Sequence, residues 1–211
     1  MKKYNKIILR IIIINILLII FYSLFSIFSI VNDPFTSFPW WSGIIFSLIY
    51  FGPTLLIEII VFIILKIKEM KNRLNLLRFK NAQELSYENA LNEIKNCKKR
   101  SHWMWYIFPQ IKGLGYSFNA QYYGIKDLQE AEEYLADEIL GKRLIEISKE
   151  LLKLETNNAL KIFGYPDNLK LYSSMTLFAY ISENNSVFHK VLEKYFDGKM
   201  DELTLKIINS K

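Results

Sequence analysis

The chain has 211 residues, 51% of them hydrophobic and only 23% charged, with a formal net charge of +6 at pH 7. Its single cysteine, Cys97, excludes an internal disulfide and any cysteine-based zinc site, and agrees with a reducing compartment. Residues 1–69 hold six of the 27 Lys and Arg and three of the 21 acids, so each part of the chain carries +3. Neither part has the basic stripe of a nucleic-acid binder, and no nucleic-acid partner is expected.

Ile7 to Val31 is an almost unbroken apolar run and Gly43 to Leu65 is a second. Each exceeds the roughly 20 residues an α-helix needs to cross hydrocarbon. Residues 1–69 are therefore predicted to form a two-helix transmembrane hairpin, with spans at 7–31 and 43–65. Lys2, Lys3, Lys6 and Arg10 precede the first span and Lys66, Lys68, Lys71 and Arg73 follow the second, whereas Asn32 to Ser42 contains Asp33 and no cation. Positive-inside bias then places both termini in the cytoplasm. Pro34, Pro39 and the Trp40–Trp41 pair suit an outer turn with an aromatic belt. A cleavable signal is the alternative for the first run, but the run is long and no alanine precedes Ala82 to form a small-residue cleavage site. Glu58 in the second span and Asn15 in the first are costly in lipid. Without a second ionisable group to complete a relay, Glu58 is expected to hydrogen-bond a partner helix, either through Asn15 or through a second copy of the hairpin, which is the expected surface for homo-oligomerisation.

From about Met70 the composition changes to mixed charge, and residues 70–211 are long enough for one compact domain. Ser86 is predicted to cap a helix carrying Ala90, Leu91 and Ile94, and Asp127 with Glu130 to form a capping box. Ile139, Leu140, Leu144, Ile147, Leu151 and Leu152 continue at helical steps, with Gly141 read as a tolerated interruption. Gly164 is a predicted helix stop and Pro166 a first-turn residue, before a helix burying Leu169, Tyr172, Met175, Thr176 and Ala179 on one face. Val187 to Tyr195, closed by Gly198, and a short helix after Asp201 complete the pattern. No period-two segment is sustained. The fold class is all-α: the membrane hairpin followed by a compact multihelical cytoplasmic domain of six or seven elements.

Three segments are chemical candidates. Lys98 to Gln110 reads K-K-R-S-H-W-M-W-Y-I-F-P-Q, three cations against an aromatic block. Ser101 is predicted to cap a two-turn helix ending at Pro109. There Trp103 or Trp105 would offer a wall for a planar ring, with His102 a proton donor and Arg100 and Gln110 ligand contacts. The competing reading is that the block is hydrophobic core. Gly113-Leu-Gly115 can gather backbone N–H groups around a phosphate, but without a flanking strand or a following Lys-Ser/Thr it reads as a turn. Asp167, Lys170 and Ser174 fall on one helical face, offering a carboxylate, a cation and a hydroxyl; a surface ion pair accounts for the same spacing. No metal site and no cofactor are expected.

The strings K-R-S-H-W-M-W-Y-I-F-P-Q, G-L-G, Tyr123-Gly124-Ile125, Leu140-Gly141, Phe163-Gly164 and S-S-M-T-L-F resemble domain of unknown function 1810, over about Leu76 to Ile208. Members of that family are often labelled calpastatin-like, a label at odds with a segment so dense in aromatics, since calpain inhibitors are disordered. The resemblance implies a compact, multihelical bacterial domain without an established activity, and hence the bacterial cytoplasmic membrane as its location. Tyr116 stands where a basic residue commonly follows G-L-G in the family, Asn168 where a second acid is frequent, and the hairpin is an addition. The order of elements is also similar, by analogy alone, to the NADAR group of helical N-glycosidases. The leading expectation is a membrane-anchored domain binding or hydrolysing a nucleotide-derived or ribosyl ligand, with His102 and Asp167 catalytic and Arg100, Trp103, Trp105, Gln110, Lys170 and Ser174 binding. The rival is a non-catalytic membrane-tethered adaptor.

Overall fold

A computed structural model describes residues 2–32 and 38–210. Asp33 and Pro34 of the predicted outer turn lie outside the described residues. The chain divides into two compact units, Met1–Arg73 and Leu74–Lys211. Among the described residues every regular element is a helix, and the sole β feature is an isolated parallel bridge between Ile111 and Ile125.

The first unit pairs α1 (Lys2–Asn32) with α2 (Ser42–Glu84), whose last turns belong to the second unit. Two helices here, Lys6–Asn32 and Ser42–Glu84, are long and apolar enough to cross a membrane. The polar and small residues of the two helices face each other. Asn15 Nδ2 donates to Glu58 Oε1 at 2.6 Å, and the Ser23 and Ser47 hydroxyls are 2.6 Å apart. A Cβ on Gly43 would lie 2.6 Å from the Ser26 Cβ, so glycine is what allows that approach. These pairs run in opposite order along the two helices, which makes the contact antiparallel. The outer faces hold large apolar side chains, with Phe21, Phe28 and Tyr50 at 68%, 68% and 70% exposed.

The second unit contains α3 (Tyr87–Lys95), α4 (Met104–Ile107), α5 (Phe118–Tyr122), α6 (Leu128–Ala136), α7 (Leu140–Lys153), α8 (Ala159–Phe163), α9 (Asp167–Tyr180), α10 (Val187–Phe196) and α11 (Glu202–Asn209). That is more elements than the sequence pattern predicts, because α4, α5 and α8 are single turns of four or five residues, too short for a period to register. The axis of the domain is α9, which packs against α4, α6, α8, α10 and α11. Burial on α9 is not confined to the predicted face: Leu171 and every residue from Ser173 to Ala179 are buried, while Leu169 is exposed. A helix wrapped on all sides needs small or apolar residues all round. Two of its buried hydroxyls find partners in Asp201: Ser173 Oγ donates to Asp201 Oδ2 at 2.8 Å, with the Leu169 carbonyl at 3.1 Å, and Thr176 Oγ1 accepts from the Asp201 N–H.

Several predicted helix signals act differently from expectation. Ser86 and Ser101 precede α3 and α4 without capping them, because the Ser86 hydroxyl bonds back to the Ala82 carbonyl and that of Ser101 is taken by Glu93. Asp127 does cap α6, accepting from the Glu130 N–H at 2.9 Å, but Glu130 reaches back to the N–H of Lys126, one residue before the cap. Gly164 and Gly198 follow α8 and α10 at positive φ, as helix stops require.

Gly141 is more than tolerated. A Cβ there would lie 1.9 Å from the Leu135 carbonyl oxygen, so the first turn of α7 passes directly over the end of α6. Asp137 Oδ1 closes the corner by accepting from the N–H groups of Ile139 and Leu140. Gly141→Ala should therefore destabilise the domain by about 2–4 kcal/mol, read as a lower midpoint in chemical denaturation, since a backbone carbonyl cannot give way as a flexible side chain can.

Candidate functional site

The K-K-R-S-H-W-M-W segment is organised by a residue outside it. Glu93, on the buried side of α3, accepts from the N–H groups of Arg100 and Ser101, the Ser101 hydroxyl at 2.6 Å, the Trp103 indole at 2.8 Å and the Asn89 amide. Burial by itself would raise the Glu93 carboxyl, but this ring of donors more than offsets it and holds the group down at about 2. The sequence reading missed Glu93; its signal was an acid three residues from Ala90 on the apolar side of an otherwise regular amphipathic helix.

This arrangement decides where the expected site residues lie. Trp103 is buried in the core, with Phe108 and Phe163 against its ring, so it presents no face to a ligand. Ser174 is also sealed in the core, its Oγ without a hydrogen-bond partner among the described residues, and does not share a surface with Asp167 and Lys170. Both were expected to contact ligand, and both are withdrawn from the surface, Trp103 by its indole bond to Glu93 and Ser174 by the all-round burial of the middle of α9. His102 and Arg100 are exposed.

Three expected residues do come together. Asp167 is bonded at 2.7 Å by Lys170 through Oδ1 and by Lys99 through Oδ2, and the Lys170 ammonium stands 4.4 Å from the centre of the Trp105 ring. Burial opposes the charge on Asp167, but the two ammoniums prevail and hold its carboxyl below the usual range. Lys99 also donates to the Ser101 carbonyl at 2.6 Å. The cluster thus ties the start of α9 to the segment before α4, both lysines being engaged by one carboxylate. Trp105 and Gln110 share a crevice with Asn119 and Tyr123, of about 10 Å³, room for no more than a water.

A larger concavity, of about 480 Å³, lies elsewhere on the same unit. Its floor comes from the two short extended segments joined at the Ile111–Ile125 bridge: Lys112 N–H donates to the Ile125 carbonyl and Ile125 N–H to the Gln110 carbonyl. Alternation puts Ile111 and Ile125 in the core and Lys112 and Lys126 outside. Gly124 permits the close approach, since a Cβ there would lie 2.7 Å from the Ala120 carbonyl and 3.0 Å from the Lys112 Cβ. Arg78 forms one wall, paired to Glu130 at 2.8 Å and reaching the Gly124 carbonyl at 3.3 Å. On α5, Phe118 and Tyr122 form the rim, stacked at 5.7 Å with 8° between ring planes. None of these residues was among the expected site residues. The available signal was the repeated Ile-Lys pair at 111–112 and 125–126. Gly113, at φ 121°, packs against Ile207, and the Gly115 carbonyl is taken by Gln121, so the G-L-G segment is a packed turn. Among the described residues no group of His, Cys, Asp and Glu is placed to hold a metal.

Two substitutions distinguish structural from ligand-facing positions. The depressed Glu93 pKa makes a stabilising contribution that is complete above the ordinary value of 4.5 and is lost as pH falls toward 2. Glu93→Gln should lower stability at pH 7 by about 3 kcal/mol and weaken the acid dependence of unfolding between those limits, measured by denaturation at a series of pH values. Ser174→Ala should be neutral or stabilising by up to about 1 kcal/mol, because it removes a buried hydroxyl that has no partner.

Comparison with known proteins bears on residues 73–208. The crystal structure of the conserved hypothetical protein Rv1873 from Mycobacterium tuberculosis is similar at 42% identity and a TM-score of 0.62, the match covering 64% of this chain and 96% of that one. No curated protein matches the chain. Residues 73–208 match the model of the family described as Protein of unknown function (DUF1810), and with the Glu93-organised aromatic segment and the buried S-S-M-T-L-F helix in place, the chain belongs to that family.

Proposed function

We propose that this chain is a membrane-tethered binding module: residues 7–65 cross the cytoplasmic membrane twice, and the helical domain is held on the cytoplasmic side to bind a small anionic ligand. The observation that carries the anchor is the distribution of polarity in the hairpin. Asn15, Glu58, Ser23 and Ser47 satisfy one another between α1 and α2, leaving broad outer faces of exposed Ile, Leu and Phe. In water such faces would have to be covered; in hydrocarbon they are the solvated surface. The cations before residue 11 and after residue 65 supply the orientation. Glu58 makes its link through Oε1 to Asn15, while Oε2 is buried without a partner among the described residues.

Binding without turnover is favoured over hydrolysis by the state of Asp167. A carboxylate already neutralised by Lys99 and Lys170 has little charge left to stabilise an oxocarbenium-like state, and its lowered pKa makes it a poor proton donor. Ribosyl hydrolysis by Asp167 and His102 stays the second reading, supported by the half-buried Trp105 ring beside Lys170, the partner of Asp167.

A reporter fused after Lys211 should be active only in the cytoplasm, and protease added to intact cells should leave the helical domain uncut. Cleavage or surface labelling of that domain in intact cells would overturn the orientation. Residues 74–211 expressed alone should be soluble and helical by circular dichroism, because the core residues Phe79 to Ile208 pack on one another. Aggregation of that fragment and of neighbouring truncations would count against an independent binding domain.

A further inference from the structure

We propose that the groove walled by Arg78 and Glu130 and rimmed by Phe118 and Tyr122 binds a small phosphorylated ligand carrying a planar ring, of the nucleoside-diphosphate class. This deepens the binding-module reading and rests on it, though not on the membrane anchor.

The charge balance is the first argument. Of the groove's charged side chains, Arg78, Lys112 and Lys126 are cationic and only Glu130 is anionic. Glu130 is buried and already engaged, by Arg78 at 2.8 Å and by the Lys126 N–H at 2.7 Å. Its role toward a ligand is to orient the guanidinium; Lys112 and Lys126 stand on the outward positions of the bridge, where Lys126 is paired to Asp127 at 3.0 Å, an exposed ion pair weak enough for a phosphate to displace. Arg78 itself is pre-set: its guanidinium lies 4.3 Å from the Phe79 ring centre and donates to the carbonyls of Asn75 and Gly124 as well as to Glu130.

The aromatic pair is the second argument. Phe118 and Tyr122 are one turn apart on α5, with Phe118 78% exposed and Tyr122 48% exposed. Exposed parallel rings beside cations offer a stacking platform together with phosphate contacts, and neither is accounted for by packing of the core. Size is the third. A concavity of about 480 Å³ falls within the range of small-molecule sites and suits a mononucleotide-sized ligand rather than a polymer.

The test uses the full-length chain in nanodiscs of neutral phosphatidylcholine, titrated with ADP, inorganic pyrophosphate and adenosine by equilibrium dialysis and saturation-transfer NMR. ADP should bind saturably, weaken with added salt, and bind at least about tenfold more tightly than either pyrophosphate or adenosine, since it alone uses both halves of the groove. The double variant Lys112→Glu, Lys126→Glu should lose at least about tenfold in ADP affinity, and Phe118→Ala should bring ADP close to the affinity of pyrophosphate. These side chains are exposed, so the variants should keep the wild-type melting profile, which serves as the check on folding. The proposal is overturned if ADP does not saturate, or if its binding is unaffected by both variants. It is equally overturned if pyrophosphate binds as well as ADP irrespective of Phe118, marking a bare phosphate site, or if Lys112 and Lys126 bind phosphatidylserine nanodiscs and not ADP, marking a lipid surface. Any of these failures would leave the topology result standing, whereas ADP turnover lost in Asp167→Asn but retained in the lysine double variant would place the ligand at Asp167 and reject the groove.

Discussion

The helical domain depends on one buried carboxylate. Five donors converge on Glu93, and four of them belong to the segment from Arg100 to Trp103. That segment has no helical ladder of its own until Met104, so its backbone N–H groups would be orphaned without an acceptor. The same carboxylate fixes the indole of Trp103 by its N–H, turning the ring into the core against Phe108 and Phe163. With Trp103 inward, Trp105 is left at the edge, where the Lys170 ammonium covers it. A string that reads as a ligand-binding block is thereby divided into a structural half and a half-exposed half.

The second constraint is the wrapped helix α9. Its start is tied by Asp167 to Lys99, on the loop that Glu93 organises, and its middle is crossed by neighbours on every side. Serine and threonine at 173, 174 and 176 keep the helix narrow, and two of the three hydroxyls connect to Asp201, at the start of α11. Packing and polar satisfaction therefore converge on the same positions, which accounts for the density of short polar residues in a string otherwise suited to a core.

The membrane-compatible unit and the helical unit handle polar groups by different rules. Between α1 and α2 the polar atoms pair across a narrow contact lined by Ser26 and Gly43, while the apolar residues face outward. In the helical unit the apolar residues are inside, and the charged ones form the short links that close corners: Arg78 with Glu130, Lys80 with Asp137, Lys99 with Asp167. The proposed groove lies where one of these links, Arg78 with Glu130, borders two segments too short to form a sheet. The bridge there is enough to point two lysines outward and too short to close over them.

By itself the sequence determined the class of each unit, because period and run length are local properties: apolar stretches longer than 20 residues, three- and four-residue spacing from Leu140 to Leu151, and glycine stops at 164 and 198 all survive into the structure. It also narrowed the partner of Glu58 to Asn15 or a second copy of the hairpin, and the structure pairs it with Asn15. What only the tertiary structure decided is which chemical groups face outward. Trp103 and Trp105 are two residues apart and Asp167 and Ser174 seven apart, yet the members of each pair have different fates, set by Glu93 and by the helices wrapped around α9. The groove was hidden for the same reason. Arg78, Lys112, Phe118 and Glu130 are spread over more than 50 residues, and their convergence follows from a Cβ-free approach at Gly124 and a single bridge, neither of which has a periodic signature.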